Sequence, residues 1–318
     1  MLPNDAVEEN IVPLSFLETS VNNGEVEQSE SLPTLLIHGL DSSSHTWRGL
    51  LDDLGATGFD AMAVDQRGCG RSPLGDPELF SPDALVDDLY AFVSSHPMFQ
   101  KGRNNAIIKP FVLVGHSMGG RVAMSFAAKH PELIAALVIE DMDVQIRSLS
   151  ISSIRSKDRD ATVAFDRRLT GISTPKEIVE AFVTEGYEAS RVEKWLSEGR
   201  VEAEVDREGS EGGYYSHVNP AFRLLCYEQF FETNHGEDTW KKLSTIAKEH
   251  GFPIHLMIAD PDMTICDEAS ISIMTDAMEE SPALLKIHRY QGATHSIHNS
   301  VAEDFTSNLK AIIQEAGK

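Results

Sequence analysis

Short, wholly apolar runs recur along the chain, Leu35-Leu36-Ile37, Met62-Ala63-Val64, Phe111 to Val114 and Leu137-Val138-Ile139, and His255 to Ala259 is apolar after its histidine. Runs without polar alternation are what strands covered on both faces require. Between them the period lengthens to that of helices. A helix is expected from Thr46 to Leu54, a second opens at Ser81-Pro82 with Leu85, Leu89, Phe92 and Val93 on one face, and a third carries Val122 and Phe126 before His130-Pro131 ends it. A last strand is expected near Leu284 to Tyr290, and Val301, Phe305, Leu309 and Ile312 space a closing helix. Strands alternating with helices in this way predict right-handed βαβ units, hence an α/β fold with a mostly parallel central sheet flanked by helices. At the N-terminal end, Ile11 to Thr19 alternates weakly as a first strand, and the polar stretch from Val21 to Ser31 reads as a hairpin turning at Asn23-Gly24.

The rhythm breaks between about Val144 and Gly236, where no apolar strand appears. Local signals there are helical: a capping box at Thr174-Pro175-Lys176-Glu177, a second at Ser190 to Glu193, and a helix start at Asn219-Pro220. Residues 1–144 and 237–318 therefore form the expected core, with 145–236 inserted as a helical lid. Within the lid, Glu202 to Gly213 is acidic and glycine-containing and is expected to be a mobile loop. Its Phe182, Trp195, Phe222 and Phe230 face either a pocket or their own core, and core is the commoner fate of such residues.

Charge narrows the partners. Lys plus Arg number 27 against 50 Asp plus Glu, a formal charge of -23. Such a surface repels phosphate backbones and anionic lipid, so neither nucleic acid nor a membrane is an expected partner. No apolar run reaches the roughly 20 residues of a membrane span. The acidic start (Asp5, Glu8, Glu9) has no targeting character, which leaves the cytoplasm as the default compartment. Cys69, Cys226 and Cys266 lack metal or disulfide spacing and read as reduced thiols; no metal site is suggested.

The candidate chemistry lies at Gly115-His116-Ser117-Met118-Gly119, placed between an apolar strand and a helix. In that setting Gly-x-Ser-x-Gly is a nucleophile elbow, with glycines where a side chain would collide. A serine hydroxyl needs a base, and the base needs a partner that fixes its tautomer. His295 follows the last strand and Asp262 the strand before it, both on the carboxyl edge of the sheet, giving the chain order Ser, Asp, His. Asp141, at the end of the preceding strand, is the reserve acid. Asp260 and Asp267 are read as loop and helix-cap residues, and His38, His116, His130 and His298 as structural. The oxyanion donors expected are the backbone amides of Leu40 and Met118.

Taken together, His38-Gly39-Leu40, Asp65 to Ser72, Gly115 to Gly120, Ala259-Asp260-Pro261-Asp262 and Gly292 to His295 resemble the α/β-hydrolase superfamily over nearly the whole chain apart from the lid. The wording Ser43 to Trp47 and the segment Tyr214 to Phe231 are most similar to small acyl esterases of the mitochondrial abhydrolase-domain type and their bacterial relatives. The resemblance implies a triad of Ser117, Asp262 and His295, an oxyanion hole from Leu40 and Met118, and no cofactor. Ala259 departs from it, standing where the family often has glycine.

Hydrolysis of a small-molecule carboxylic ester or thioester, through an acyl-enzyme, is the leading expectation. Carbon–carbon bond hydrolysis or a lyase reaction on a carboxylated substrate is the alternative, motivated by Arg121, which resembles the arginine that menaquinone-pathway lyases of this superfamily use for a substrate carboxylate. A ligand-binding receptor on a hydrolase scaffold is the third.

Overall fold

The computed structural model describes residues 10–19, 31–101, 107–147, 159–205 and 211–318. The expected turn at Asn23-Gly24 lies outside them. The runs that lack polar alternation become the middle of one sheet: β2 (Thr34–Ile37), β3 (Ala61–Val64), β6 (Phe111–His116), β7 (Ile134–Glu140) and β10 (Ile254–Ile258). With β1 (Phe16–Glu18) and β11 (Leu285–Arg289) they give seven strands in the order β1-β3-β2-β6-β7-β10-β11. Only β1 runs antiparallel. A short ladder of β4 (Gln100–Lys101) and β5 (Ile107–Ile108) stands beside it.

Each face of the sheet buries its own apolar layer, because side chains of successive strand residues point to opposite faces. On one face Leu35, Leu113 and Leu137 pack with Leu89, Val122, Phe126 and Leu243 from the helices Pro82–Ser95, Met118–Lys129 and His235–His250. On the other, Leu36, Val114 and Val138 meet Leu51, Leu54, Phe305 and Leu309 from Arg48–Gly55 and Ala302–Ala316. This doubly covered parallel sheet is the α/β fold expected. Its parallel strands all deliver their carboxyl ends to one edge, where Ile37, Glu140 and Ile258 lead into loops and His116 into a single-residue turn.

The insertion between β7 and β10 departs from the all-helical expectation. Val201–Val205 (β8) and Glu211–Ser216 (β9) pair as an antiparallel hairpin where a mobile loop was expected. Arg71 bonds Glu202 and Glu204 on it, and Tyr215 and Arg167 both donate to the Gly70 carbonyl, so the glycine-rich loop after β3 is the surface on which the hairpin docks. The capping box at Thr174 and Glu177 is formed and starts the helix Pro175–Thr184. The second expected box is not: the helix Ala189–Ser197 begins one residue before Ser190, with Glu188 at its cap position. Phe182 and Trp195 pack in a separate core with Ile178, Tyr187 and Val192. Phe222 and Phe230 instead join the sheet's own core, so the helix Pro220–Cys226 and the wider turn Tyr227–Phe231 belong to the main body.

Candidate active site

Strand β6 runs straight into the helix Met118–Lys129, and Ser117 is the single residue between them, held at φ 53°, ψ −128°. A non-glycine residue in that region is strained and persists because its surroundings fix it. Ser117 N–H donates to the Glu140 carbonyl at 2.9 Å, and its own carbonyl accepts from Gly120 at 2.7 Å. The flanking glycines are steric necessities: a Cβ on Gly115 would sit 2.3 Å from the Gly119 carbonyl oxygen, and one on Gly119 would sit 2.5 Å from that of His38.

His295 follows β11 and lines one cavity of about 440 Å³ with Ser117 and Leu40. Its Nδ1 donates to Asp141 Oδ2 at 2.6 Å, leaving Nε2 as the ring's second nitrogen. Here the structure pairs His295 with a carboxylate other than the expected Asp262. Asp262 is exposed in the turn after β10, its amide bonded to Asp260 Oδ1. Asp141, the reserve, is fully buried one residue past β7 and also accepts from the amides of Ala259 and Ile265 and from the Thr264 hydroxyl. Burial alone would raise its pKa, but the hydrogen bonds from His295, Thr264 and Ala259 outweigh it and hold the carboxyl below its ordinary value. The physical reason is position. Strands β7 and β10 are neighbours, so both carboxylates start from the same sheet edge, but only Asp141 is turned inward, by its own left-handed backbone at φ 46°.

Met118 opens the helix behind Ser117, where the first amides have no acceptor within the helix. Leu40 lies in the loop after β2, against the cavity. Arg121 does not face that cavity. It is completely buried and donates to Asp143, to the Phe230 carbonyl and to the Gln145 carbonyl, tying the nucleophile's helix to two segments of the insertion. The contacts of Arg121, expected to bind substrate, are thus internal braces that leave it off the cavity wall.

A family model described as the α/β-hydrolase fold matches residues 33–258, more than two thirds of the chain. The chain belongs to the α/β-hydrolase fold family. Among curated proteins it is 32% identical over 136 residues to a proline iminopeptidase of Lactobacillus helveticus, covering 42% of this chain and 41% of that one. It is 31% identical over 122 residues to an sn-1-specific diacylglycerol lipase of Danio rerio, covering 38% and 35%. The matched region thus spans about two fifths of those relatives' own length or less. Among solved structures, a marine microorganism esterase superposes with a TM-score of 0.62 at 18% identity, covering 95% of this chain and 99% of that one. A thioesterase domain from the curacin biosynthetic pathway does so with a TM-score of 0.62 at 16% identity, covering 94% and 99%.

Two further groups of this α/β-hydrolase escaped the sequence reading. Directly after Leu40, Asp41 (φ 53°) is buried and holds the insertion: Tyr187 Oη donates to Oδ1 at 2.9 Å, Arg191 to Oδ2 at 2.8 Å, and Arg200 to its carbonyl at 2.8 Å. Beneath His295, His298 donates through Nδ1 and its amide to Glu140, while its Nε2 accepts from Asn299 and Thr46. Adjacent carboxylates Glu140 and Asp141 thereby fasten two imidazoles three residues apart. The sequence signal that could have found this pairing is Glu-Asp at the end of a buried strand together with His-x-x-His after the last strand. His116, Glu140 and His298 bring possible ligand atoms within 4.8 Å of one another, but both Glu140 oxygens are taken by His298, which fits a hydrogen-bonded bracket. Burial holds the His116 ring neutral, its pKa lowered to about 3 despite the Glu140 charge. No helix among the described residues is long and apolar enough to cross a membrane.

Proposed function

We propose that the protein is a serine hydrolase that cleaves small or medium carboxylic esters or thioesters through an acyl-enzyme on Ser117, with His295 as base and Asp141 as its orienting acid. The observation that carries this reading is the bond from His295 Nδ1 to the buried Asp141, in a cavity that also exposes Ser117 on its strained turn. Relatives named as esterase, thioesterase, lipase and peptidase support acyl transfer to water as the reaction class.

In this reading Asp141 keeps His295 in the tautomer whose Nε2 is a base. Nε2 takes the Ser117 proton as Oγ attacks the acyl carbon. The oxyanion that forms is met by the amides of Leu40 and Met118, donors that need no reorganisation. Collapse breaks the ester or thioester bond, the leaving group takes the proton from His295, and water activated by the same nitrogen attacks the acyl-enzyme to release the acid and restore Ser117. The chemistry asks for no cofactor, and the reading keeps the protein in the cytoplasm acting on a small molecule.

A fluorophosphonate is expected to label Ser117, and p-nitrophenyl butyrate to be turned over by the wild type but not by Ser117→Ala. An unlabelled serine with no turnover across a series of acyl lengths would leave the receptor reading in its place. The carbon–carbon cleavage reading loses the residue that motivated it, because Arg121 is spent on Asp143 and two carbonyls.

A further inference from the structure

The cavity that holds Ser117 and His295 is lined by five cationic side chains, Arg147, Arg191, Lys194, Arg200 and Arg223, and by two acids, Asp41 and Glu198. In a chain of formal charge -23, this local excess of positive charge runs against the whole surface. Three of the cations are accounted for. Arg191 is bound to Asp41 and half exposed, Lys194 lies 3.5 Å from Glu198 and is largely solvated, and Arg200 bonds Glu198 at 2.8 Å. The other two share their carboxylates with a second guanidinium. Burial disfavours the Arg223 charge, but Asp41 and a hydrogen bond with the Tyr187 side chain outweigh it and raise its pKa. Arg147 also donates to the Ile265 carbonyl at 3.1 Å. Arg147 shares Asp143 with the fully buried Arg121, one carboxylate between two guanidiniums. Arg223 comes no closer than 3.9 Å to Asp41, whose facing oxygen already takes Arg191. It lies over the Tyr187 and Tyr227 rings, 4.6 and 5.8 Å from their centroids, and its Nε is buried without a hydrogen-bond partner.

A desolvated guanidinium N–H with no acceptor is costly, and a bidentate carboxylate is the ligand its planar fork matches. Resting on the hydrolase reading, we propose that Arg223, seconded by Arg147, binds a carboxylate on the substrate, so that the preferred substrates are esters or thioesters carrying a free acid, such as the half-esters of short dicarboxylic acids. A cavity of about 440 Å³ accommodates a molecule of that size. The free acid stays ionised throughout; only the ester bond at Ser117 is broken, as in the cycle above. The tyrosine faces fix the plane of Arg223 and thereby the direction from which the carboxylate is held.

Glutaric acid mono-p-nitrophenyl ester and p-nitrophenyl butyrate present acyl chains of similar length with and without the charge. The wild type is expected to favour the anionic ester in kcat/KM by about ten- to a hundredfold, the scale of a hydrogen bond to a charged group, and Arg223→Met to bring that ratio toward one. Added salt raises KM for the anionic ester alone. In case Arg223→Met fails to fold, glutarate, glutaramide and inorganic phosphate are compared on the wild type as protectants of Ser117 against fluorophosphonate. Glutarate alone should protect. Equal ratios for the two esters, or protection by phosphate or glutaramide but not by glutarate, would overturn the carboxylate site while leaving the hydrolase intact. Absence of labelling and turnover would overturn the hydrolase instead, and quenching of tryptophan fluorescence by glutarate, through Trp195 on the cavity wall, then decides the anion site separately.

Discussion

Replacing Asp141 by Asn tests the acid assignment with little change of shape. Asp141 accepts four hydrogen bonds: from His295 Nδ1 at 2.6 Å, from the amides of Ala259 and Ile265 at 3.1 Å each, and from the Thr264 hydroxyl. Every partner is a donor, and an asparagine offers one oxygen and one NH2 group. If the oxygen takes the Oδ1 position, with the Ala259 amide and the Thr264 hydroxyl, the NH2 at the Oδ2 position meets His295 and the Ile265 amide and enforces the tautomer that protonates Nε2, removing the base. Loss of the correct tautomer costs about 10³- to 10⁴-fold in turnover, equivalent to about 4–5 kcal/mol of barrier. One donor left facing the NH2 group costs a further ~1–3 kcal/mol of stability, so the variant is less stable yet folded. Asp262→Asn changes an exposed turn residue and is expected to stay within about twofold of wild type. Both variants are measured as kcat/KM on p-nitrophenyl butyrate alongside urea denaturation. Loss of turnover in Asp262→Asn with retention in Asp141→Asn would refute the reasoning and return the acid to the turn after β10.

Other perturbations follow from the same geometry. His116 has a folded pKa of about 3 against 6.5 unfolded, so only the unfolded chain takes up its proton as pH falls below 6.5, and stability is lost in that direction. Between pH 6.5 and 5 this amounts to about 2 kcal/mol at ~1.4 kcal/mol per unit, and urea midpoints of His116→Gln should show that much less acid sensitivity; an unchanged slope refutes it. Arg67 grips Asp88 through Nε at 2.6 Å and Nη2 at 2.7 Å, both side chains 1% exposed. Asp88→Ala is therefore expected to destabilise by about 3–5 kcal/mol in chemical denaturation, since it strands a buried guanidinium, and a loss below 1 kcal/mol contradicts that. Gly119→Ala forces a Cβ onto two carbonyl oxygens of the β2 end. It should lower soluble yield and melting temperature as well as fluorophosphonate labelling, and normal labelling at a normal melting temperature would count against the steric account.

Much of this was readable along the chain because the middle strands are buried on both faces, and Leu35 to Ile37 or Phe111 to Val114 have no polar position to confuse the period. The elbow was readable for a related reason, since backbone contacts at Gly115 and Gly119 exclude every side chain. The hairpin was not. Val201-Glu202-Ala203-Glu204-Val205 does alternate, but its acidic positions pair with Arg71 across the structure, a partner invisible to local spacing. Ser190 matched a cap motif, yet the helix starts at Ala189, just after Tyr187, whose hydroxyl is bonded to Asp41. Asp262 and Asp141 were equivalent as strand-end acids, and only the inward turn of Asp141 separates them. Arg121 followed the nucleophile at a spacing that suited a ligand, while its true acceptors lie 22 to 109 residues away.

The twin fastenings of Asp141 to His295 and Glu140 to His298 join positions 154 and 158 residues apart. Most of the intervening sequence is the insertion, so the reactive centre is finished by a long closure of the polypeptide, whose entropic toll grows only logarithmically with length. Refolding from urea should therefore restore helical signal before enzymatic turnover, and lengthening the insertion at an exposed bend should delay the second far more than it weakens the finished enzyme.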